Sequence, residues 1–352
     1  MIAPSDMTTE PTIAKESGHF YDRQGNPAYT IKHPDEYGLM KPNGTRAIRI
    51  FGTQEEAEKA LKGRPADYWL EHRPGKEVTT NVTHARKYHL VPGQGRVSNV
   101  LAKEGLNHWQ KQQILLAAAT SPLKRSDMDA GEWAKKVKEE ADRQAEEARQ
   151  KGVEIHGAIE RYAGGHDYYT GHLAYIHAVE NAINHPLREF DAEKSAAHPW
   201  GYGCKTDLLN KERRFIADVK CKEFYVGEIN EQATRPFKNK DAYEDWAMGS
   251  TASHHQPIKL HWPEHCRQIA ANAHAHGLTS FWCQFESAKG INDASADQYN
   301  HPYTGINIYV STSNPGQVYI HQWEEDELKH ELQLFYYLLK VWQIDNKYDS
   351  SF

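Results

Sequence analysis

Two short apolar runs near the middle of the chain, residues 204–209 and 215–219, are separated by a turn of charged residues. Runs of this length bounded by polar turns are typical of the two strands of a β-hairpin. Each run carries an acid where a buried strand normally has none, Asp207 in the first and Asp218 in the second. Lys220 follows two residues after Asp218, so a strand directs both side chains to one face. The pattern predicts two carboxylates and an amine at one end of a hairpin.

The N-terminal part of the chain has a different pattern, in which short apolar segments alternate with Gly, Pro and Asn. It predicts a small α+β module over residues 18–95, with strands at 29–31 and 47–51 and a helix at 53–61. Residues 1–17 are polar and terminal, and we expect them to be disordered. The glycines at 93 and 95 predict a plain loop.

Helical spacing dominates from residue 96 to residue 164. Core-packing helices are predicted at 97–101 and 106–119. Residues 127–151 carry acids and bases four apart and few apolar side chains, which is typical of a long solvated helix or cover layer. Residues 152–162 regain an apolar face, so a packed helix is expected there.

The remaining sequence predicts the rest of a sheet and its covering helices. Residues 224–257 are rich in charge, Gly, Ser and Thr, which predicts a long loop beside the hairpin. A helix is expected at 261–276, strands at 278–285, 305–311 and 317–323, and a closing helix at 324–346. The predicted fold class is α/β with a mixed central sheet flanked by helices. Its catalytic core would span 152–346 within a domain at 96–352.

Composition and charge narrow the class of protein. The chain has 352 residues, 39% of them hydrophobic and 26% charged, and no apolar run of membrane-spanning length. Its first residues lack a basic region followed by an apolar one, so we expect no secretion signal. The four cysteines form no CxxC pair, which indicates reduced thiols in a cytosolic protein and gives no support for an iron–sulfur cluster. Because the net charge is −6, any nucleic acid must be attracted by a local basic groove.

A histidine and two acids outside the hairpin are further candidates for the site, although a lone histidine on a helix is more often structural. His156 and Glu160 are four residues apart on the predicted helix at 152–162 and therefore share one face. Glu193 lies before the first strand, 14 residues ahead of Asp207, where it is either part of the site or an ordinary surface acid. Carboxylates with one imidazole suit Mg²⁺ or Mn²⁺. A histidine-rich segment at 254–276 has no zinc-ligand spacing.

These motifs resemble the PD-(D/E)XK nuclease superfamily, whose signature is an acid followed by acid-x-Lys. Thr206-Asp207 corresponds to the first half, with Thr in place of the usual Pro, and Asp218-Val219-Lys220 to the second. The glycine-rich approach at 201–209 and the Gly152-x-x-x-His156-x-x-x-Glu160 helix are similar to the RecB-like clade. That clade includes phage and mitochondrial exonucleases and CRISPR-associated nucleases.

The resemblance implies a restriction-endonuclease-like core and a set of site residues. Asp207, Asp218, His156 and the carbonyl of Val219 would hold one or two Mg²⁺ or Mn²⁺ ions. Lys220 would orient the attacking water. Glu160 and Glu193 would help to place a second ion, and Gln268 opens a half-present Gln-x-x-x-Tyr motif, with Asn at position 272.

Aromatic and basic residues near the motifs are candidate DNA contacts, with plain packing or a solvated loop as the alternative in each case. They are Trp200, Tyr202, Lys205, Lys222, Arg235, Lys238 and Lys240. We therefore expect a metal-dependent deoxyribonuclease acting as an exonuclease on single-stranded DNA or duplex ends. A structure-specific or nicking endonuclease and a catalytically inactive DNA-binding protein remain alternatives. Self-association and a replication or recombination partner stay open.

Overall fold

The computed structural model of the protein describes residues 20–348, apart from 33–34, 42, 44–45, 63, 102–103, 121–127, 167, 169, 231–232 and 280–301. Its strands are β1 (Phe20–Tyr21), β2 (Thr30–Lys32), β3 (Glu36–Met40), β4 (Arg46–Phe51), β5 (Trp69–Arg73), β6 (Glu77–Thr79), β7 (Val91–Pro92), β8 (Asp191–His198), β9 (Tyr202–Asn210), β10 (Phe215–Lys222), β11 (Tyr225–Asn230), β12 (Ala233–Phe237), β13 (Thr304–Ser311) and β14 (Val318–Gln322). Its helices are α1 (Gln54–Leu61), α2 (Val82–Tyr88), α3 (Gln94–Ser98), α4 (Glu104–Thr120), α5 (Ala130–Ala163), α6 (Leu173–Ile183), α7 (Lys240–Ala247), α8 (Pro263–Ala275) and α9 (Glu325–Asp345).

The chain divides into two units, Ala28–Leu90 and a larger one made of Met1–Pro27 with Val91–Phe352. In the smaller unit β3 pairs with β4 and β5, and β2 pairs with β6, all antiparallel. Helix α1 begins after Thr53, whose side chain accepts the Glu56 N–H. The smaller unit has the predicted α+β character, but its limits lie inside the predicted 18–95. In the larger unit, β1 pairs with β7.

A five-stranded mixed sheet lies at the centre of the larger unit, with strand order β14-β13-β10-β9-β8. Strands β10 and β13 are parallel, and their neighbours pair antiparallel. This confirms the predicted mixed sheet flanked by helices.

Successive residues of β9 and β10 point to opposite faces, and each face is covered by helices. On one face, Leu208 and Ala217 pack with residues of α5 and α6. On the other face, Leu209 and Ile216 pack with residues of α8 and α9. Both faces of the sheet bury apolar side chains that fit particular helices. This fixes the register, because a shift of one strand by one residue would move its side chains to the opposite face.

The hairpin of β9 and β10 opens towards one end. Backbone pairing joins Phe215 to Asn210, Ile216 to Leu209 and Ala217 to Leu208, and these are the pairs that the two strands form. Strand β9 keeps pairing with β8 as far as Tyr202, and β10 keeps pairing with β13 as far as Lys222. The two central strands therefore separate just where Asp207 and Asp218 occur.

Helix α5 runs without interruption through the two helices predicted at 127–151 and 152–162. Asp129 caps its start by accepting the Gly131 N–H, and it ends before Gly164. Its first half carries exposed ion pairs such as Lys138–Asp142 at 3.3 Å. Its second half is buried against the sheet, so this helix links a solvated segment to the core.

Two predicted loops contain regular structure, and two other predicted segments fall largely outside the described residues. The expected loop at 224–257 is wrong in large part, because it contains β11, β12 and α7. The plain loop expected at 93–95 is also wrong, since α3 starts at Gln94 and is packed with α9. The strand expected at 278–285 lies almost wholly outside the described residues, as does the N-terminal tail.

Membrane crossing finds no support in the part of the chain that the structure describes, where every helix is too short or too polar to span a bilayer. Cys204, Cys221 and Cys266 are free thiols.

Candidate active site

Helix α5 supplies a histidine and a glutamate to the site. His156 and Glu160 lie one turn apart on the face that packs against the sheet, and Glu160 is only 4% exposed. The Nδ1 atom of His156 contacts Oε1 of Glu160. The other carboxylate oxygen of Glu160 is buried and accepts no hydrogen bond from the described residues. A buried carboxylate with a free oxygen is costly unless a cation compensates it.

Asp207 occupies the gap where β9 and β10 separate. Its Oδ2 accepts a hydrogen bond of 2.7 Å from the backbone N–H of Val219. The same oxygen lies 2.9 Å from Nε2 of His156. Asp207 thus connects both central strands to α5, and it takes the Val219 N–H that regular pairing would give to a backbone carbonyl.

Glu193 faces the same place from β8. Pairing of Ala192 with Leu208 and of Lys194 with Thr206 leaves Glu193 across from Asp207. Its backbone is left-handed, with φ of +53°. This conformation costs a non-glycine residue roughly 1 kcal/mol and is concentrated at functional sites. Its carboxylate forms an ion pair with Lys205. The structure thus places Glu193 next to Asp207.

His156, Glu193 and Asp207 form a group with the composition of a cation site. One ligand atom of each lies within 4.8 Å of the others, and all three residues are half-buried. Asp218 is not part of this group, although the sequence paired it with Asp207 as a ligand.

Asp218 is instead surrounded by hydrogen-bond donors. Its carboxylate is 2% exposed and accepts from Lys220 at 2.8 Å and from the Gln268 amide at 2.6 Å. The Gln268 carbonyl in turn lies 3.1 Å from the Lys220 ammonium. Three residues expected in the site from sequence, Asp218, Lys220 and Gln268, are therefore brought together.

Asn307 on β13 is a site neighbour that the sequence did not suggest. It stands beside Asp218 in the parallel pairing of β10 and β13, and it is fully buried. Its amide donates to Asp218 Oδ2 at 2.8 Å, and its carbonyl accepts from the Trp323 indole at 2.7 Å. The available signal was an amide in the middle of an otherwise apolar strand, Gly305 to Ser311.

The pKa values of Asp207 and Asp218 are shifted in opposite directions. Burial raises the pKa of Asp207, but His156 and the Val219 N–H outweigh it and the pKa is lowered. Burial raises the pKa of Asp218 to about 6, because the opposing attraction of Lys220 is the smaller effect. The pKa of Lys220 is raised: burial opposes its charge, and Asp218 and Asp207 outweigh the burial. Lys220 is therefore an ammonium held between carboxylates.

Of the predicted DNA contacts near the hairpin, Tyr202 is wrong. It is fully buried, and its hydroxyl donates to the Ala271 carbonyl at 2.9 Å, so no face of the ring is open to a base. Trp200 packs against His274 and Tyr336, which matches the packing alternative. Lys205 is 10% exposed and bound to Glu193. It stabilises the site's acid rather than facing solvent.

The remaining basic candidates differ in exposure. Lys222 donates to the Leu260 carbonyl at 3.0 Å, and burial lowers the pKa of its amine to about 8. Arg235 and Lys238 are exposed at the end of β12. Lys240 is the first residue of α7 and pairs with Glu244 at 3.1 Å. Arg235 and Lys238 remain open to a phosphate.

Comparison with known proteins gives no further constraint, since no family model matches the chain and no curated protein is significantly similar to it in sequence.

Proposed function

We propose that the protein is a divalent-metal-dependent deoxyribonuclease with a restriction-endonuclease-like core. The observation that carries this proposal is the convergence of His156, Glu193 and Asp207 within 4.8 Å, next to an ammonium fixed by a buried carboxylate. Phosphodiester hydrolysis needs a place for a hard cation and a positive group beside it.

The residues present fit Mg²⁺ or Mn²⁺. Oxygen ligands dominate the group, and its single imidazole suits Mn²⁺. Glu160 has a buried oxygen without a donor, and it contacts the ring nitrogen of His156 that faces away from Asp207. A carboxylate in that position fixes the orientation of a metal-binding histidine. His156, Glu193 and Asp207 would hold the ion, with the Val219 carbonyl completing the set. Asp218 would join them where the ion displaces Lys220 from one of its oxygens. Glu160 would orient His156.

When bound, the ion lowers the pKa of a water molecule and neutralises charge on the phosphate oxygens. The chain's own groups do the rest. Asp218 and Gln268 hold the Lys220 ammonium, whose side chain is 26% exposed and reaches the open side of the site. As an ammonium, Lys220 donates a proton in a hydrogen bond; it is not a base. It orients the attacking water or stabilises a phosphate oxygen.

The sheet supports the same proposal. A mixed sheet in which an opened hairpin carries Asp207 on one strand and Asp218-Val219-Lys220 on the next is the arrangement that the resemblance leads one to expect. Helix α5 adds His156 from one face and α8 adds Gln268 from the other.

The test uses end-labelled DNA with Mg²⁺, Mn²⁺ or a chelator, on the parent and on Asp207→Asn. We expect cleavage by the parent only with metal, and at least a 100-fold loss in the variant. Lys138→Ala, in an exposed ion pair of α5, is the control and should cleave as the parent does. Metal-independent cleavage, or none under any condition, would contradict the proposal.

An exonuclease and an endonuclease differ in their need for a free end. We propose the exonuclease mode, and linear and covalently closed single-stranded DNA should be incubated side by side in Mg²⁺. Degradation of the linear form alone is expected. Rapid linearisation of the circle would identify an endonuclease, and binding without cleavage of either form would identify the inactive DNA-binding alternative.

A further inference from the structure

Residues 258–262, which we call the rim segment, are held beside the candidate active site by two hydrogen bonds. The Ile258 N–H donates to the Pro236 carbonyl of β12 at 2.8 Å. On the other side, Lys222 of β10 donates to the Leu260 carbonyl at 3.0 Å. Lys222 is two residues from Lys220, so the rim segment is attached directly to the strand that carries the site.

The rim segment is also connected to Asp218 through a series of ring contacts and hydrogen bonds. The ring of His261 stacks on that of His321, with centroids 3.6 Å apart and planes at 1°. The His321 ring meets Trp323 edge to face at 4.3 Å. The Trp323 indole donates a hydrogen bond to the Asn307 carbonyl, and the Asn307 amide donates one to Asp218. The rim segment thus has a fixed position relative to the reacting groups.

Two side chains of the rim segment face outward together. Trp262 is 42% exposed, although an indole usually buries most of its surface. The Lys259 ammonium lies 5.7 Å from the centre of the Trp262 ring. Trp262 directly precedes α8, and Gln268 follows six residues later, about 9 Å along a helix. An exposed indole with a cation over one of its faces offers a ring for one base and a charge for one phosphate.

Charges around the rim segment nearly balance. Lys222, Lys259 and Arg235 are the cations, and Arg235 acts electrostatically on both His261 and His321. Glu264 and Glu327 are acids that act on the same groups, and Lys222 is also acted on by Lys220 and Asp218, which carry opposite charges. Electrostatic attraction alone is therefore weak, and stacking must supply much of the affinity. Stacking on a side chain requires an unpaired base, which a duplex does not offer.

We propose that the rim segment binds single-stranded DNA next to the cutting site, with a base stacked on Trp262 and a phosphate at Lys259. The proposal rests on the proposed function for its location, and it names the form of the substrate. Acidic residues nearby also lead to a further expectation, that Glu264→Gln strengthens binding.

The experiment measures binding of a short labelled oligonucleotide by fluorescence anisotropy in chelator, so that no cleavage intervenes. Trp262→Ala should weaken the parent's affinity for the single strand about 5- to 100-fold, and Trp262→Phe should keep most of it. Lys259→Ala should reduce the slope of log affinity against log salt by about 0.7, the value for one phosphate contact on a single strand.

Two matched controls separate a specific contact from general loss of an exposed ring or charge. Trp69→Ala removes an indole of nearly equal exposure, 43%, from β5 in the smaller unit. Lys340→Ala removes a lysine that lies 5.1 Å from the Tyr336 ring on α9. Both should bind the oligonucleotide as the parent does.

The outcomes are distinct. Parental affinity in Trp262→Ala, an equal loss in Trp69→Ala, no binding by the parent, or equal affinity of the parent for blunt duplex would each overturn the rim proposal. Binding that depends on Trp262 in a protein that fails to cleave DNA in Mg²⁺ would support the rim segment and contradict the nuclease. Cleavage together with parental affinity in Trp262→Ala would do the reverse.

Discussion

Asp218 and Asn307 stand beside each other on parallel strands, and the Asn307 amide donates a hydrogen bond of 2.8 Å to the Asp218 carboxylate. Both side chains are buried, and Asn307 also accepts a hydrogen bond from the Trp323 indole. One amide therefore satisfies an acid of the site and an indole of the core. The orientation of Asp218 depends on a residue outside the sequence motif.

Replacing Asn307 with Leu should reduce both stability and cleavage. The change leaves the Trp323 N–H buried without a partner, which should lower the free energy of unfolding by about 2 kcal/mol. Loss of a neighbour that orients a site carboxylate should reduce cleavage about 10- to 100-fold. Urea unfolding and initial cleavage rates measure the two effects.

A double variant separates these effects. In Asn307→Leu with Trp323→Phe, both partners of one hydrogen bond are apolar, so part of the stability should return. Cleavage should stay low, because Asp218 still lacks its donor. Parental cleavage by the double variant would mean that Asn307 has only a structural role.

Two substitutions of Glu193 separate the effect of its left-handed backbone on stability from the effect of its carboxylate on metal binding. Glu193→Ala and Glu193→Gly both remove the carboxylate, but only glycine adopts a φ of +53° without strain. We expect the Gly variant to be about 1 kcal/mol more stable than the Ala variant. Both should lose tight Mn²⁺ binding by calorimetry. Equal stability of the two variants would show that the left-handed backbone carries no strain.

Lys220 and Asp218 should differ in their effect on metal binding. Lys220 approaches both carboxylate oxygens of Asp218, at 2.8 and 2.7 Å, and so competes with a cation for them. Lys220→Ala should abolish cleavage and keep or tighten Mn²⁺ binding, whereas Asp218→Ala should abolish both. Calorimetry with Mn²⁺ on folded variants measures this. Weaker binding in the Lys220 variant would assign the lysine to the support of the ligands.

Stability should fall in mild acid because two histidines, the buried His276 and the half-buried His198, are neutral in the folded protein. Burial lowers the pKa of His198 and of His276 to about 4 from the ordinary 6.5. Between these pH values the unfolded chain binds more protons than the folded one, so stability is present above pH 6.5 and is lost as the pH falls towards 4. Each group contributes at most about 3 kcal/mol.

Comparing the pH dependence of stability in the parent and in His276→Gln isolates the contribution of His276. Asp218 titrates in the opposite sense in the same range, because its pKa is raised to about 6, and the parent's slope alone is therefore mixed. Urea unfolding at several pH values should show that the free energy of unfolding falls less steeply with decreasing pH in the variant than in the parent. Parallel curves for parent and variant would mean that His276 is not neutral in the folded protein.

Sequence periodicity was sufficient for the elements that bury one regular face. The hairpin at 204–219, the closing helix and the mixed sheet follow from apolar patterns that tertiary packing reinforces. The segment at 224–257 was misread because β11 and β12 are short, half-exposed strands, in which alternation is weak. Tyr202 was misread since a tyrosine beside glycines has the same pattern whether its hydroxyl faces solvent or a buried carbonyl.

The candidate site was predictable where spacing along one element determines proximity, as for His156 with Glu160 and Asp218 with Lys220. The site was not predictable where the contact between two residues depends on the order or the register of strands in the sheet. Asn307 reaches Asp218 only because β13 lies beside β10, 89 residues further along the chain. Glu193 faces Asp207 only through the register of β8 with β9.

The opened hairpin has a consequence for how the site can arise. Asp207 substitutes for a backbone acceptor at the point where β9 and β10 separate. The cluster of charged side chains therefore depends on the end of backbone pairing between these two strands. Transplanting the same acids and lysine onto a fully paired hairpin would give a flat surface with no room for an ion. The interruption of strand pairing is thus as necessary to the candidate site as the side chains that line it.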